Sequence, residues 1–356
     1  MKMHNFYAGP AILPKEVIKE AAKGALNFNN SGLSILEISH RSKGFSEVIE
    51  NAEALIKELL HLPSNYHVLF TTGGASSQFF MVPMNLLNQE ETAYYVNTGT
   101  WSTKAIAEAQ HFGHLVELAS SKDKGFNYIP KYKMPKKGKY LHLTSNNTIF
   151  GTQIHHFPKG DLPIVCDMSS DFLSRPIDIE KFGLIYAGAQ KNLGPAGVTV
   201  VIVREDMLGT VQRQIPTLLN YETFVKKNSM FNTPPVFPIY VSMLTLNWLK
   251  AKGGVEKIER LNKSKAKLLY TELDNNPLFT PNIPNKRDRS LMNVTFQITN
   301  PDLESDFLAE AEANGIVGIK GHRSVGGFRA SIYNAMPRSS VKVLTDLMAD
   351  FANRKG

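Results

Sequence analysis

Short apolar segments that alternate with helical segments are the feature that most restricts the fold of this chain. HVLFTT at residues 67–72 has the composition of a buried strand, and an apolar helical segment follows at residues 78–87. The pair repeats as a strand candidate at residues 92–97 and a helix candidate at residues 102–113. Further strand candidates are HLVELAS, KYLHLTS, LPIVCDMS, FGLIYAGA and VTVVIVRE. Seven strands separated mainly by helices predict an α/β fold, with a mostly parallel, seven-stranded sheet that helices cover on both faces.

The spacing of these candidates also suggests how the chain is divided. Residues 182–189 and 198–205 are joined only by a tight Gly-Pro turn, which predicts an antiparallel pair. After this pair, a long helical stretch leads into a mixture of strands and helices. We therefore expect a large domain over residues 16–252 and a smaller α+β domain made of residues 1–15 and 253–356.

Length, composition and charge restrict the class of protein. A chain of 356 residues that is 42% hydrophobic can bury a sizeable core, and no apolar run approaches the length needed to cross a bilayer. The single cysteine excludes an intramolecular disulfide, so we expect a soluble protein of a reducing compartment, the cytoplasm.

The formal charge of +8 favours an acidic partner, but the lysines are scattered and no nucleic-acid motif accompanies them. We expect small anions, not nucleic acid or a membrane, as partners.

The segment IYAGAQKNLGPAGVTVVIV, residues 185–203, places one lysine between two apolar runs. Lysine is costly to bury, yet Lys191 lies among small residues at the seam of two predicted strands. A lysine in a partly desolvated pocket has a lowered pKa and can act as a Schiff-base nucleophile. Asp167 ends a strand 24 residues earlier, and neighbouring strand ends would bring both groups to one rim of the sheet. Taken alone, Asp167 is better explained as a helix cap or a structural ion pair.

Three more positions follow predicted strands. The small residues from Gly73 to Ser77 let backbone N–H groups approach an anion at a helix N-terminus, although a tight connection alone also needs glycine. Trp101 could stack on a flat ring or pack in the core, and Thr148 could donate a hydrogen bond or only shape a turn. An aspartate can keep a pyridinium nitrogen protonated. A phosphate-binding turn, a buried aspartate and a buried lysine, in that order, are what pyridoxal phosphate requires.

The motifs of the chain resemble those of a known family nearly from end to end. They are NFYAGPAILP, EISHRSKGFSEV, TTGGASSQF, NTGTWS, SNNTIFGTQ, YAGAQKNLGPAG, FNTPPVFPIY and GHRSVGGFRASIYNAMP. By these motifs the chain resembles the phosphoserine aminotransferase family, which are fold-type I pyridoxal-phosphate enzymes of the class V aminotransferase group. The resemblance implies reversible amino transfer between glutamate and 3-phosphohydroxypyruvate, giving 2-oxoglutarate and phosphoserine in serine biosynthesis. It also implies the 4-phosphohydroxythreonine reaction of pyridoxine biosynthesis.

The resemblance further implies a role for each matched residue. Lys191 would form the imine with pyridoxal 5'-phosphate, Asp167 would pair with the ring nitrogen, and Trp101 would stack on the ring. The residues implied to hold the cofactor phosphate are Ala75, Ser76 and Gln190, with Thr148 nearby and with Asn232 and Thr233 supplied by the other subunit of a homodimer. Some family members have an arginine where this chain has Ser76, so phosphate binding is expected to depend more on backbone N–H groups.

The implied substrates are anionic at both ends, which fits the basic residues of the chain. Arg329 is the candidate for the α-carboxylate, because guanidinium matches carboxylate geometry with two hydrogen bonds. The candidates for the distal phosphate or γ-carboxylate, drawn from one or both subunits, are His40, Arg41, His322 and Arg323. A surface ion pair is the usual role of a single arginine, but two His-Arg pairs beside small residues are harder to explain in that way.

Three other functions fit parts of the sequence. A cysteine desulfurase of the same fold needs a reactive thiol on a mobile loop, whereas Cys166 lies inside an apolar strand, so we discount this alternative. An aminotransferase that uses glyoxylate or pyruvate would not need the second basic cluster. A non-catalytic anion-binding or nucleic-acid-binding protein is the alternative from a different class. We expect no metal site.

Overall fold

The strands of the described residues, 2–355 in this computed structural model, form three sheets. In chain order they are β1 (His4–Asn5), β2 (Tyr66–Thr71), β3 (Thr92–Asn97), β4 (His114–Ser120), β5 (Leu141–Thr144), β6 (Ile164–Asp167), β7 (Phe182–Gly188), β8 (Thr199–Arg204), β9 (Phe279–Pro281), β10 (Asn293–Ile298), β11 (Ile316–Val317) and β12 (Phe328–Ser331). The central sheet has seven strands in the order β2–β8–β7–β6–β5–β3–β4. Strand β8 is antiparallel to β2 and β7, and the other neighbouring pairs are parallel. The predicted α/β class with a mostly parallel sheet is therefore confirmed, as is the antiparallel pair β7–β8.

Helices cover both faces of the central sheet. The helices of the described residues are α1 (Lys15–Leu26), α2 (Lys43–Leu60), α3 (Gly74–Leu86), α4 (Thr100–Ala109), α5 (Tyr221–Lys226), α6 (Val236–Ala251), α7 (Gly254–Asn275), α8 (Glu304–Ala313) and α9 (Arg338–Lys355), of which α8 and α9 pack in a second core instead. Because neighbouring residues of a strand point to opposite faces, Ile185 of β7 joins the core that contains α2 and α6, whereas Leu184 joins the core that contains α3 and α4. Burial on both faces explains why the inner strands have uninterrupted apolar sequences.

No helix among residues 2–355 has both the length and the apolar character required to span a membrane.

A second core is formed mainly by the C-terminal part of the chain. Its antiparallel sheet has the order β12–β10–β9, while β1 pairs with β11 and so attaches the N-terminal residues to this part. Five phenylalanine rings contact one another in this core, namely Phe279, Phe296, Phe307, Phe328 and Phe351. Aromatic rings bury large apolar areas, so this cluster stabilises a part that has few strands.

The turn between α6 and α7 lies at the predicted domain boundary. Gly253 and Gly254 have φ angles of +94° and +72°, a conformation that favours glycine and ends the first helix. Helix α7 nevertheless packs on both cores, since Val255 belongs to the core of the central sheet and Leu269 to the second core. The two cores therefore share α7, and the domain limits stay a prediction.

We expect the substitution Phe328→Ala to lower the free energy of unfolding by about 3–5 kcal/mol. The ring is fully buried and contacts three other phenylalanines, so its removal leaves a cavity. Urea unfolding followed by circular dichroism measures the change. Leu26→Ala is the control, because Leu26 is 83% exposed and its loss should change stability by no more than about 0.5 kcal/mol. Equal effects of the two substitutions would contradict the core described here.

Candidate active site

Four of the predicted residues lie at the carboxyl edge of the central sheet. Asp167 is the last residue of β6, and Lys191 follows the end of β7. Thr148 follows β5, and Trp101 lies in the first turn of α4, which comes after β3. Because β5, β6 and β7 are neighbouring parallel strands, their carboxyl ends meet at one edge. The order of the strands thus brings these side chains together.

A cavity of about 300 Å³ opens at this edge. Nine of the fourteen residues predicted from the sequence line it, namely Ala75, Ser76, Trp101, Thr148, Asp167, Gln190, Lys191, His322 and Arg329. The other residues of the lining are Ala8, Gly9, Gly74, Phe79, Ile149 and Ser169. Strand ends, the first turn of α3 and the N-terminal segment therefore enclose one cavity that contains both acidic and basic groups.

Lys191 provides a partly neutral amine. Its Nζ donates a hydrogen bond to Thr148 Oγ1 over 2.9 Å and lies 5.9 Å from the centre of the Trp101 ring. Burial lowers the pKa of Lys191 to about 8, although the Asp167 carboxylate opposes this shift. Near pH 8 about half of the molecules therefore carry the neutral amine, which is the form that attacks carbonyl carbons.

Asp167 provides a buried acceptor beside this amine. Its Oδ1 accepts a hydrogen bond from the backbone N–H of Ser169 over 2.9 Å. Burial raises the pKa of the Asp167 carboxyl, whereas the Lys191 ammonium and the hydrogen bonds from Ser169 lower it. A charged Asp167 therefore depends on a neighbouring cation, which is Lys191 in the chain or a protonated nitrogen of a ligand.

The turn before α3 offers backbone donors. Gly73 has a φ angle of +87°, and a Cβ atom at this position would lie 2.7 Å from Ser77 Cβ, so glycine is required. The N–H groups of Gly74, Ala75 and Ser76 lie in the first turn of the helix and have no acceptors inside it. The positive end of the helix dipole adds to their attraction for an anion. A phosphate at this turn would be held mainly by backbone N–H groups.

Arg329 and Trp101 hold donors that the chain itself does not use. Arg329 Nη1 donates to the backbone oxygen of Thr148 over 3.2 Å, but its Nε is buried without an acceptor among residues 2–355. Trp101 Nε1 is likewise buried without a partner in the described part of the chain. Unsatisfied buried donors are uncommon in folded proteins. Both donors are therefore available to a polar ligand that enters the cavity.

Five predicted residues lie outside this cavity in the single chain. Arg41 and Arg323 are exposed, and His40 has a buried Nε2 atom without a partner among the described residues. Asn232 and Thr233 are exposed, and Asn232 lines a separate cavity of about 220 Å³. Of the two His-Arg pairs, only His322 therefore lines the cavity at the sheet edge within one chain, and the roles of the other members stay predictions.

Sequence reasoning missed several residues that shape the site. Ser169 orients Asp167 through its backbone N–H. Ala8 and Gly9 line the cavity from the N-terminal segment, and Tyr333 donates a hydrogen bond to the Ala8 oxygen over 2.7 Å. The Asp-x-Ser spacing after a strand could have indicated Ser169, because aspartate commonly accepts from a backbone N–H two residues on. The approach of the N-terminal segment to the site follows only from the tertiary fold.

Cys166 is fully buried in β6, one residue before the aspartate of the site. Burial raises the pKa of its thiol well above the usual value. A reactive cysteine needs an exposed position and a lowered pKa. The position of Cys166 therefore argues against the desulfurase alternative.

The chain is similar to aminotransferases along nearly its whole length. A family model described as aminotransferase class-V matches residues 3–344. The chain is 57% identical over 350 residues to the phosphoserine aminotransferase of Flavobacterium johnsoniae, with 98% of each chain covered. The solved phosphoserine aminotransferase from Bacillus circulans subsp. alkalophilus has a TM-score of 0.96 and 46% identity, covering 100% of this chain and 99% of that chain. The PLP-bound phosphoserine aminotransferase from Trichomonas vaginalis has a TM-score of 0.92 and 38% identity, covering 98% of this chain and 99% of that chain.

We expect Asp167→Asn to lower the pKa of Lys191 further, because the substitution removes the carboxylate that favours the ammonium form. The pH dependence of Lys191 acetylation, followed by mass spectrometry in protein freed of small ligands, measures this pKa. Asp123→Asn is the control, since Asp123 is exposed and does not line the cavity. An unchanged or raised Lys191 pKa in the Asp167→Asn protein would show that the two groups do not interact as described.

Proposed function

The chain belongs to the class V aminotransferases, and on this basis we propose that it transfers the amino group of glutamate to 3-phosphohydroxypyruvate. The products are 2-oxoglutarate and phosphoserine, and the reaction is reversible. The observation that carries the proposal is the meeting of Lys191, Asp167 and the first turn of α3 in one cavity. A cytoplasmic role in serine biosynthesis, and the reaction with 4-phosphohydroxythreonine, extend the same proposal.

The residues of the cavity fit pyridoxal 5'-phosphate as the cofactor. Trp101 Nε1 and Arg329 Nε are buried without acceptors in residues 2–355, so donors are left for a ligand. Lys191 supplies an amine for an imine, Asp167 supplies an acceptor for a ring nitrogen, and the first turn of α3 supplies N–H groups for a phosphate. When bound, this cofactor supplies an aldehyde that exchanges amines and a ring that withdraws electrons from the substrate Cα.

Lys191 would act as both base and acid at the substrate. Its partly neutral amine can take the proton from the Cα atom of the amino acid, and its hydrogen bond to Thr148 restrains the position of Nζ. Asp167 favours a protonated ring nitrogen, because a buried carboxylate without a cation is costly. Lys191 would thus transfer the proton of the substrate Cα atom. Asp167 would keep the ring nitrogen positively charged, and this charge makes the Cα proton easier to remove.

Arg329 is the proposed ligand of the substrate α-carboxylate. Its guanidinium lies beside Thr148 at the cavity, and a guanidinium binds a carboxylate through two parallel hydrogen bonds. The distal phosphate or γ-carboxylate is assigned to His40, Arg41, His322 and Arg323. Of these, His322 lines the cavity, and its Nδ1 is hydrogen-bonded to Ser324 Oγ over 2.7 Å. This bond restrains the imidazole ring at the cavity edge.

A homodimer would bring the remaining residues to the site. The predicted residues that come from segments outside the cavity are His40, Arg41, Asn232 and Thr233. Large apolar side chains next to them are exposed, since Leu36 is 65% and Phe231 is 40% accessible in the single chain. A subunit interface at these segments would cover both apolar side chains. We therefore propose that each subunit completes the site of its partner.

We expect Arg41→Ala and Arg323→Ala to lower kcat/KM for phosphoserine by more than about 30-fold, because each removes a cation that binds the distal phosphate. Alanine has no distal anion, so it should be a poor substrate for the wild type and lose little further in these variants. Arg329→Ala should weaken every amino acid, since each has an α-carboxylate. Steady-state kinetics with phosphoserine, glutamate and alanine measure these differences.

The control for these variants is Arg260→Ala, which removes an exposed arginine that does not line the cavity. Two results would contradict the phosphorylated substrate. One is equal use of alanine and phosphoserine by the wild type, and the other is unchanged phosphoserine kinetics in both Arg41→Ala and Arg323→Ala. Either result would favour an aminotransferase that uses glyoxylate or pyruvate.

We expect Lys191→Ala and Arg41→Ala each to be nearly inactive alone and to recover activity when the two chains are mixed. If Arg41 serves the partner's site, a mixed dimer has one intact site, with Lys191 from the Arg41→Ala chain and Arg41 from the Lys191→Ala chain. Its other site lacks both residues. Random mixing should then restore about one quarter of wild-type activity. The control mixture is Lys191→Ala with Arg329→Ala, whose residues line the same cavity in one chain and should restore nothing. No recovery in the first mixture would assign Arg41 to its own subunit.

A further inference from the structure

A further cavity, of about 640 Å³, lies between α1, α6, α7 and the start of α9. We call it the α1/α7 cavity. Its lining includes Ile12–Glu16, Lys19, Trp248, Lys252, Leu261, Lys265 and Asn334–Arg338, and it shares no residue with the catalytic cavity. Its volume lies within the range of small-molecule sites. The proposed aminotransferase function does not use it.

The rim of the α1/α7 cavity has an excess of unpaired positive charge. It carries five cations, Lys2, Lys15, Lys19, Lys252 and Arg338, and one acidic residue, Glu16. None of these six side chains forms an ion pair within 4.0 Å among residues 2–355. Other lysines of the same helices are paired, since Lys23 contacts Glu20 at 2.7 Å and Lys263 contacts Glu259 at 2.8 Å. Five cations without an ion-pair partner among residues 2–355 therefore surround this one cavity, and a single acidic residue lies with them.

Lys265 adds a buried cation to this group. It is 1% exposed, and its Nζ donates to the backbone oxygens of Ile332 and Tyr333 over 2.9 and 2.6 Å. No described carboxylate lies within 4.0 Å of it, and burial lowers its pKa to about 7. A buried ammonium without a counter-ion is costly, so an anion that enters the cavity would stabilise its charged form.

The inner surface of the α1/α7 cavity is apolar. It is formed by residues such as Ile12, Trp248 and Met336, with Leu261 at 44% exposure. Lys252 Nζ lies 6.0 Å from the centre of the Trp248 ring, so a cationic group and an apolar ring of the lining lie near each other. An inorganic anion would leave the apolar surface without a partner, and a hydrocarbon would leave the cations without one.

We propose that the α1/α7 cavity binds a small amphipathic anion, in which a carboxylate or phosphate is attached to an apolar chain or ring. The apolar part packs on Trp248 and Met336, and the anionic head lies among the lysines of the rim. The ligand class follows from the two surfaces together, because each satisfies one half of such a molecule.

Calorimetric titration of the intact protein with octanoate tests this proposal. We expect saturable binding of octanoate, and binding at least about tenfold weaker for 1-octanol, which lacks the charge, and for acetate, which lacks the chain. The double variant Lys19→Gln/Lys252→Gln should bind octanoate about tenfold more weakly than the wild type. The matched control is Lys23→Gln/Lys257→Gln, which removes the same charge outside the cavity and should change the affinity by no more than about twofold.

Four results would overturn the proposal. They are the absence of saturable binding, equal losses in the two double variants, equal binding of octanol and octanoate, and displacement of octanoate by phosphoserine. The last result would assign octanoate to the catalytic cavity. Both double variants carry substitutions only at exposed lysines, so loss of folding does not obscure the comparison.

Discussion

The interaction between the Lys191 ammonium and the Asp167 carboxylate is the constraint on which the site depends. Each group is desolvated, and each shifts the pKa of the other toward the charged form. They lie at one edge because β6 and β7 are adjacent and parallel, and they interact through space without forming an ion pair within 4.0 Å. A different strand order would leave two buried charges without partners. The sheet topology and the chemistry of the site are therefore linked by the cost of burying charge.

A chain of buried amide groups connects this edge to the second core. The Asn334 N–H donates to Asn192 Oδ1 over 3.0 Å, next to the catalytic lysine, and Asn262 Nδ2 of α7 donates to Asn334 Oδ1 over 2.8 Å. Lys265, on the same helix, binds the segment just before Asn334. Buried polar networks have strict geometry. This network thereby holds the strand that carries Arg329 in a defined position relative to Lys191.

The parts of the site that could be predicted are those whose signal is local. Lys191 and Asp167 stand out because a charged residue inside an apolar strand pattern is costly, and Gly73 because a tight turn before a helix requires a positive φ angle. His40 and Arg41 carry no comparable signal, since an exposed basic residue suits any surface. Their assignment came from family resemblance, and the single chain does not bring them to the cavity.

The sequence by itself determined the α/β class, the seven strands of the central sheet and the chemical character of the Lys191 pocket, because hydrophobic periodicity and burial cost depend on neighbouring residues. Only the tertiary structure decided that Ala8 and Gly9 line that pocket and that α7 serves two cores. It also decided that unpaired cations from four segments surround one apolar cavity. These features depend on contacts between segments far apart in the chain. Such contacts are selected by packing of the whole fold and leave no local pattern in the sequence.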